Sequence, residues 1–254
     1  MHFRLPKPLH GWRAFAGEVG IIVLGVLIAL GFGQIVEQWQ WHRQVVTTRD
    51  ALATELATTA NQAAERLAME TCFRDRIGEL AGRLRSSNGR WTGDPLPLGP
   101  GAQLTPHWDE RSIGRVYAIA LRGWPRDAWD TAKSSGVVDH MSRDEVASYS
   151  GIYTEIEAIR GFQDQEFLLE SKLSFLSADQ QQLDNRSRTD ALEALGQLDA
   201  LNSTIAGLSS LIDQQTKGLH LHVDRARFAQ ELKESIDSER HYRGACVKDV
   251  RVQL

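Results

Sequence analysis

Apolar side chains run from Val19 to Gly33 without a charged or strongly polar interruption, carried by Val19, Ile21, Ile22, Val23, Leu24, Val26, Leu27, Ile28, Leu30 and Phe32. The bare run is slightly short for a membrane span, but its flanks complete it. Trp12 stands before it and Trp39 and Trp41 after it, where indoles favour the boundary between lipid and water. From Trp12 to Trp39 a helix rises about 40 Å, which matches a bilayer of roughly 40–45 Å with its headgroups. The pattern predicts one transmembrane helix over residues 14–36, preceded by a short tail (1–13) and followed by a polar region (37–254).

Past the tryptophans the apolar positions change to steps of three and four residues. Val46, Leu52, Leu56, Ala60, Ala63, Leu67, Ile77, Leu80 and Leu84 form such a series, which predicts a long amphipathic helix to about residue 85 that continues directly from the span. Residues 86–106 hold four of the seven prolines and many glycines, and no regular element survives that density of breakers. Trp91, Leu96, Leu98 and Leu104 make this loop apolar enough to lie partly packed across the rest.

Helices are expected to resume over 109–122, then in a segment opened by Pro125 and ended at Gly136. Ser142 to Glu145 reads as a capping box, opening a helix whose apolar side carries Val146, Tyr149, Ile152, Tyr153, Ile156, Ile159, Phe162, Phe167, Leu168, Leu173 and Leu176. Ser177 to Gln180 marks a break. From Thr189 to about Arg243 a stripe of Leu192, Leu195, Leu198, Leu201, Ile205, Leu208, Leu211 and Ile212, then Phe228, Leu232 and Ile236, is again helical in period. Gly218 to Val223 interrupts it, with Lys217-Gly218 ending one helix and Asp224 opening the next. No clustered alternating strands with hairpin turns occur. The fold class expected is all-α: a transmembrane helix continuing into a long amphipathic helix, followed by an antiparallel helical bundle.

The charges beside the span set its direction. Arg4, Lys7 and Arg13 precede it, with no acid before Glu18, whereas Glu37, Arg43, Arg49 and Asp50 follow it. Cations stay on the cytoplasmic side, so the tail is expected inside and the bundle outside. A cleaved signal peptide would share the basic start, and Gly31-Phe32-Gly33 could mimic a cleavage site. The apolar segment is longer than a usual signal core, and the helical pattern continues past that point, so an uncleaved anchor fits better. Gly25, Ala29 and Gly33 recur every fourth residue and form a candidate helix-association face, because small residues let helices approach closely in lipid.

Composition then narrows the partners. A formal charge of −4 and a pI near 6.1 leave no broad basic field for nucleic acid. The lipid bilayer is the expected partner, with a second copy of the chain or another protein of the same membrane. The two cysteines, Cys72 and Cys246, are predicted to form a disulfide on the oxidising side of the membrane; two buried free thiols are the other reading.

Signs of chemistry are sparse. No phosphate-binding loop, dinucleotide fingerprint, serine elbow, zinc-protease motif or calcium loop occurs, so no cofactor, metal site or catalytic residue is assigned. His220 and His222 lack a partner at ligand spacing. Glu166 and Glu170, one helical turn apart, are expected on a solvated face. Trp129, His140, Tyr149 and Tyr153 are named as the lining of a candidate pocket, although aromatics in such a corner more often pack as core.

The string Gly17 to Leu30, GEVGIIVLGVLIAL, with its tryptophan-rich exit, resembles a group of uncharacterised bacterial single-pass membrane proteins of the domain-of-unknown-function type. Arg66-x5-Cys72-x3-Arg76, Trp129-x3-Lys133-x2-Gly136 and Tyr149-x3-Tyr153 also look like that group. The resemblance implies a bacterial inner-membrane protein with a periplasmic helical domain, and it carries no activity. A scaffolding, assembly or partner-binding role is therefore expected, with a ligand-sensing bundle acting through a partner membrane protein as the alternative and an unrecognised enzyme as the third reading.

Overall fold

A computed structural model describes residues 12–96, 116–178, 181–219, 221 and 223–250, and the chain is all-α. One unbroken helix, α1 (Trp12–Ser86), carries both the apolar segment and the first member of the bundle. Its 75 residues extend about 110 Å at ~1.5 Å per residue. The remaining helices are α2 (Asp127–Ser134), α3 (Arg143–Leu173), α4 (Asn185–Gly218) and α5 (Arg225–Arg243). Two-residue strands, β1 (Arg90–Trp91) and β2 (Gln181–Gln182), pair antiparallel at the far tip. The N-terminal stretch of α1 is long and apolar enough to cross a membrane, and none of it is buried against the other described residues.

Local chemistry places the helix ends. Ser142 and Glu145 form the expected reciprocal capping box at the start of α3. Asp184 caps α4 through the Ser187 N–H, and Asp224 caps α5 through Ala226 and Arg227. Gly136 takes a left-handed φ of 75° after α2, where a side chain would be strained. Pro125 lies two residues ahead of Asp127, the first helical residue, so the helix opens slightly later than its proline suggests.

Successive elements alternate in direction. Arg49 pairs with Glu145, Glu55 with Tyr153 and Arg66 with Glu166, so α3 climbs parallel to α1. Arg188 reaches Ser87 while Asn202 reaches Glu70, so α4 descends. Ser235 meets Glu65 and Cys246 is bonded to Cys72, so α5 climbs again. Between α1 and α3 the descending member is α2 preceded by an extended strap, residues 116–126. The strap corrects the helix expected over 109–122, in its described part. Val116, Tyr117, Ala118, Ile119 and Ala120 are all buried, and five consecutive inward side chains suit an extended segment laid in a groove rather than a helix with one apolar stripe. Residues 109–115 lie outside the described residues, as do Leu98, Leu104, His220 and His222.

The core has two apolar clusters stacked along α1. The lower one joins Val45, Leu52 and Leu56 to Trp129, Ile152, Ile156 and Ile212. The upper one joins Met69, Phe73, Leu80 and Leu84 to Trp91, Leu173, Leu195 and Ile236. Trp91 also donates its indole N–H to the Leu176 carbonyl at 2.6 Å, which ties the described part of the 86–106 loop to the bundle as expected. The stripes differ in detail from the periodicity. Val46, Phe167, Leu168 and Leu211 are exposed, whereas Val45, Glu166, Glu170, Asn202 and Ser209 are buried.

The Cys72–Cys246 bridge joins residues 174 apart and, with the Lys248 N–H donating to the Ala68 carbonyl, holds the C-terminal segment on α1. Closing so long a loop restricts the unfolded chain, a contribution of roughly 2–5 kcal/mol. Reduction, or Cys72→Ser with Cys246→Ser, should lower the unfolding temperature by several degrees in thermal melts of the full chain in detergent. An unchanged midpoint would remove the bridge from the stability of the fold.

Candidate functional site

Between the two apolar clusters lies a buried ionic layer to which most parts of the bundle contribute. Arg66 of α1 donates from Nη2 to Glu166 Oε1 of α3 at 2.5 Å and to Asn202 Oδ1 of α4 at 3.3 Å. Glu166 is 0% exposed and Glu170, one turn later, 6%. The expectation that these two glutamates line a solvated face is thus corrected. Spacing of four showed that they share a face, and α4 packs on that face. Beside them Glu65 of α1 accepts both Nε and Nη2 of Arg122 on the strap and the Ser235 hydroxyl of α5. Arg122 also reaches Glu239, which accepts from Arg243 at 2.7 Å. The Arg66 and Arg243 guanidiniums stand over the Phe73 ring at 4.3 and 4.8 Å, a favourable placement of cation on aromatic face.

Burial pushes the Glu166 carboxyl above its ordinary range, against the opposing pull of Arg66. Its Oε2 and the Arg66 Nε make no hydrogen bond. Taking two charges out of water costs several kcal/mol per ion, which the mutual attraction offsets only with good geometry. What such a layer provides is register, because the charges meet only when α1, α3 and α4 are aligned at one height. It resembles the core network of a bundle more than a reaction centre.

The aromatic corner lies in the lower cluster. Trp129 of α2 stacks on Tyr153 of α3 with centroids 5.3 Å apart and planes 4° from parallel, and stands 6.1 Å from Tyr149. The Tyr153 hydroxyl donates to Glu55 Oε1 at 2.5 Å, and Glu55 Oε2 accepts the Ala128 N–H at 2.8 Å. Glu55 therefore supplies from α1 the cap that Arg126 does not give α2. Burial and the Glu55 hydrogen bond hold the Tyr153 phenol above its ordinary range, so it remains a donor. With both oxygens engaged, Glu55 acts as a joint. Trp129, Tyr149 and Tyr153 are each buried as core.

His140, grouped with those rings from sequence, stands apart from them. It ends a short 3-10 turn, Val137–His140, and stacks on Trp41 of α1 at 3.9 Å. Trp124 at the foot of the strap has φ 44°, uncommon for a residue with a side chain and restricted further by the following proline. Its backbone N–H donates to Gln62 and its indole N–H to Gln163, which hold the kink. Gly25, Ala29 and Gly33 lie on the apolar stretch of α1, and a Cβ at either glycine would meet nothing within 4 Å. Among the described residues no group of three or more His, Cys, Asp or Glu side chains is arranged to hold a metal ion. No family model, curated protein or solved structure matches the chain.

Sequence reasoning named Arg66 only within a family motif and missed Glu65, Arg122, Asn202 and Glu239. A signal was present on α4, where Leu198, Asn202, Ile205, Ser209, Ile212 and Thr216 recur at alternating steps of four and three and are all buried. Polar residues at those positions hid the true inward face behind the neighbouring leucines.

Two predictions follow from these contacts. Arg66→Met leaves Glu166 buried without its partner and should cost about 3–5 kcal/mol, whereas adding Glu166→Leu should recover most of the loss. Denaturant unfolding of the single and double variants decides this, and a double variant as unstable as the single would refute it. The second concerns acid. Arg49 holds the Glu145 carboxyl below its ordinary value of 4.5. At Asp94 burial is outweighed by Arg76 and Arg83, and the pKa is also lowered. Carboxylates lowered on folding contribute stability that is present above the unfolded pKa and lost as pH falls through the folded one. Glu166 has the opposite sign, its contribution being lost as pH rises. Glu145→Gln should therefore lose less stability than the parent chain between about pH 5 and pH 3, measured by denaturant melts at both pH values.

Proposed function

We propose that this is a bacterial inner-membrane protein, anchored once with its N-terminus in the cytoplasm, whose periplasmic helical bundle serves as a scaffold or partner-binding element. The observation that carries the reading is the continuity of α1, which runs from the uncovered apolar stretch to the far tip of the bundle without a break. A hinge would let the domain move independently of its anchor. An unbroken helix instead holds the bundle at a set height and rotation relative to the bilayer.

Three further features favour this reading. The Cys72–Cys246 bridge suits an oxidising compartment. Buried ionisable groups are spent on partners, Arg66 and Glu166 on one another and Glu65 on the half-buried Arg122. Trp129, Tyr149 and Tyr153 pack in the lower cluster, and the cleft of about 510 Å³ that Trp129 and Tyr153 border is open to solvent rather than enclosed, which favours a scaffold over a ligand sensor. The uncovered Gly25, Ala29 and Gly33 face is the docking edge within the bilayer, for a second copy or another inner-membrane helix.

A photo-reactive residue placed at Ala29 should give a discrete cross-linked adduct in native membranes, and Gly25→Leu with Gly33→Leu should abolish it. Recovery of the monomer alone would argue against the association face. Tags at the two ends test the topology, since external protease should remove only the C-terminal tag in spheroplasts. Protection of that tag would reverse the assignment of sides.

A further inference from the structure

The lower end of the bundle sits very close to where the apolar stretch of α1 ends. A cleft of about 450 Å³ opens there, lined by Glu37, Gln38, Trp41, His42, Arg49 and His140. Its wall is the Trp41–His140 stack, with rings 3.9 Å apart and nearly parallel. Arg49 is fixed from behind, its Nε and Nη2 each 2.8 Å from the Glu145 carboxylate. Trp39, just below, carries the Arg43 guanidinium over its ring at 4.8 Å.

Position, charge and continuity point to one occupant. The α1 residues of the cleft fall on one stripe, and steps of seven carry it down through Gln34 and Gly31 to Leu27. That stripe passes from polar to apolar within about two turns, roughly 10 Å. Gln38, His42, Arg49 and His140 are N–H donors suited to a phosphodiester, while Glu37 is a carboxylate at the same rim. Donors for an anion next to an acceptor for a cation match a zwitterion whose cation can donate hydrogen bonds. Acyl chains attached to it would continue along the Gly31 side, where a Cβ on the glycine would meet no described atom within 4 Å.

We propose that this cleft seats the headgroup of a phosphatidylethanolamine molecule in the leaflet from which the bundle emerges, with the phosphate on Gln38, His42, Arg49 and His140 and the ammonium on Glu37. The proposal rests on the single-anchor reading above. Phosphatidylcholine offers Glu37 a cation without an N–H, and phosphatidylglycerol offers hydroxyl donors without a cation, so only phosphatidylethanolamine supplies both charge and hydrogen bonds.

The full chain is reconstituted in nanodiscs of equal parts phosphatidylethanolamine, phosphatidylcholine and phosphatidylglycerol, and the lipids retained on ejection are identified by native mass spectrometry. Phosphatidylethanolamine should be retained over phosphatidylcholine by roughly two- to fivefold, the range of an exposed ion pair. Glu37→Gln should abolish that preference, and Gln38→Ala with His42→Ala should reduce retention of all three lipids. Both sets of positions are solvent-facing, and circular dichroism checks that helix content is kept. Equal retention by the parent chain, or a preference that survives Glu37→Gln, overturns the proposal. Resistance of the chain to alkaline carbonate extraction is scored separately. Extraction would overturn the anchor itself, whereas a resistant chain without lipid preference overturns only the headgroup site.

Discussion

The stripe of α1 from Val45 to Leu84 is the surface on which the bundle is organised, because α2, α4 and α5 pack directly on it and α3 reaches it through Arg49, Glu55 and Arg66. Burying that stripe is the main favourable term available to the domain, and α1 cannot do so alone. Its length also limits the other elements. α3 and α4 are each long enough to run beside much of the upper part of α1, but the return between α1 and α3 is made by the strap and the short α2. Buried Tyr117, Ile119 and Trp124 fill the space that a helix would otherwise occupy.

An apolar stripe of this length is permissive about register, since sliding one helix by a turn still meets leucine and alanine. The ionic layer removes that freedom. Arg66, Glu166 and Asn202 meet at one height, and Glu65, Arg122, Ser235 and Glu239 add the strap and α5 at nearly the same level. A slip of one turn would leave several buried charges without partners, a loss of several kcal/mol. Such layers trade stability for alignment, and here alignment extends through α1 to the apolar stretch below. The disulfide at Cys72 fixes residues 244–250, a segment with no helix of its own to hold it.

At the lower end a different set of forces meets. Arg49 with Glu145, Trp41 with His140 and Glu55 with the start of α2 bind α1 to the turns that face the apolar stretch. These contacts join the bundle to the part of α1 that has no neighbours among the other described elements. A load on the exposed helix is thereby passed into the core through side chains with defined partners, without a flexible linker. This mechanical continuity is what supports the proposed scaffold role.

The all-α class, the long first helix, the capping box at Ser142, the opening of α5 at Asp224 and the pairing of Cys72 with Cys246 were legible in the sequence, because each depends on local periodicity, on a cap or on a count of two. So was the apolar stretch, which needs only length and composition. The strap was not legible, since Val116 to Ala120 are apolar at every position and only the groove against α1 selects an extended chain over a helix. Nor was the inward face of α3 and α4, where Glu166 and Asn202 turn inward and Leu168 and Leu211 outward. A charged residue is favourable inside only when its partner arrives from another helix, and Arg66 lies 100 residues from Glu166 and 136 from Asn202. His140 likewise met Trp41 rather than the neighbouring aromatics, a choice made by the direction of the turn after α2. Local chemistry determined the elements and their ends, and long-range electrostatics and packing decided which of their faces meet.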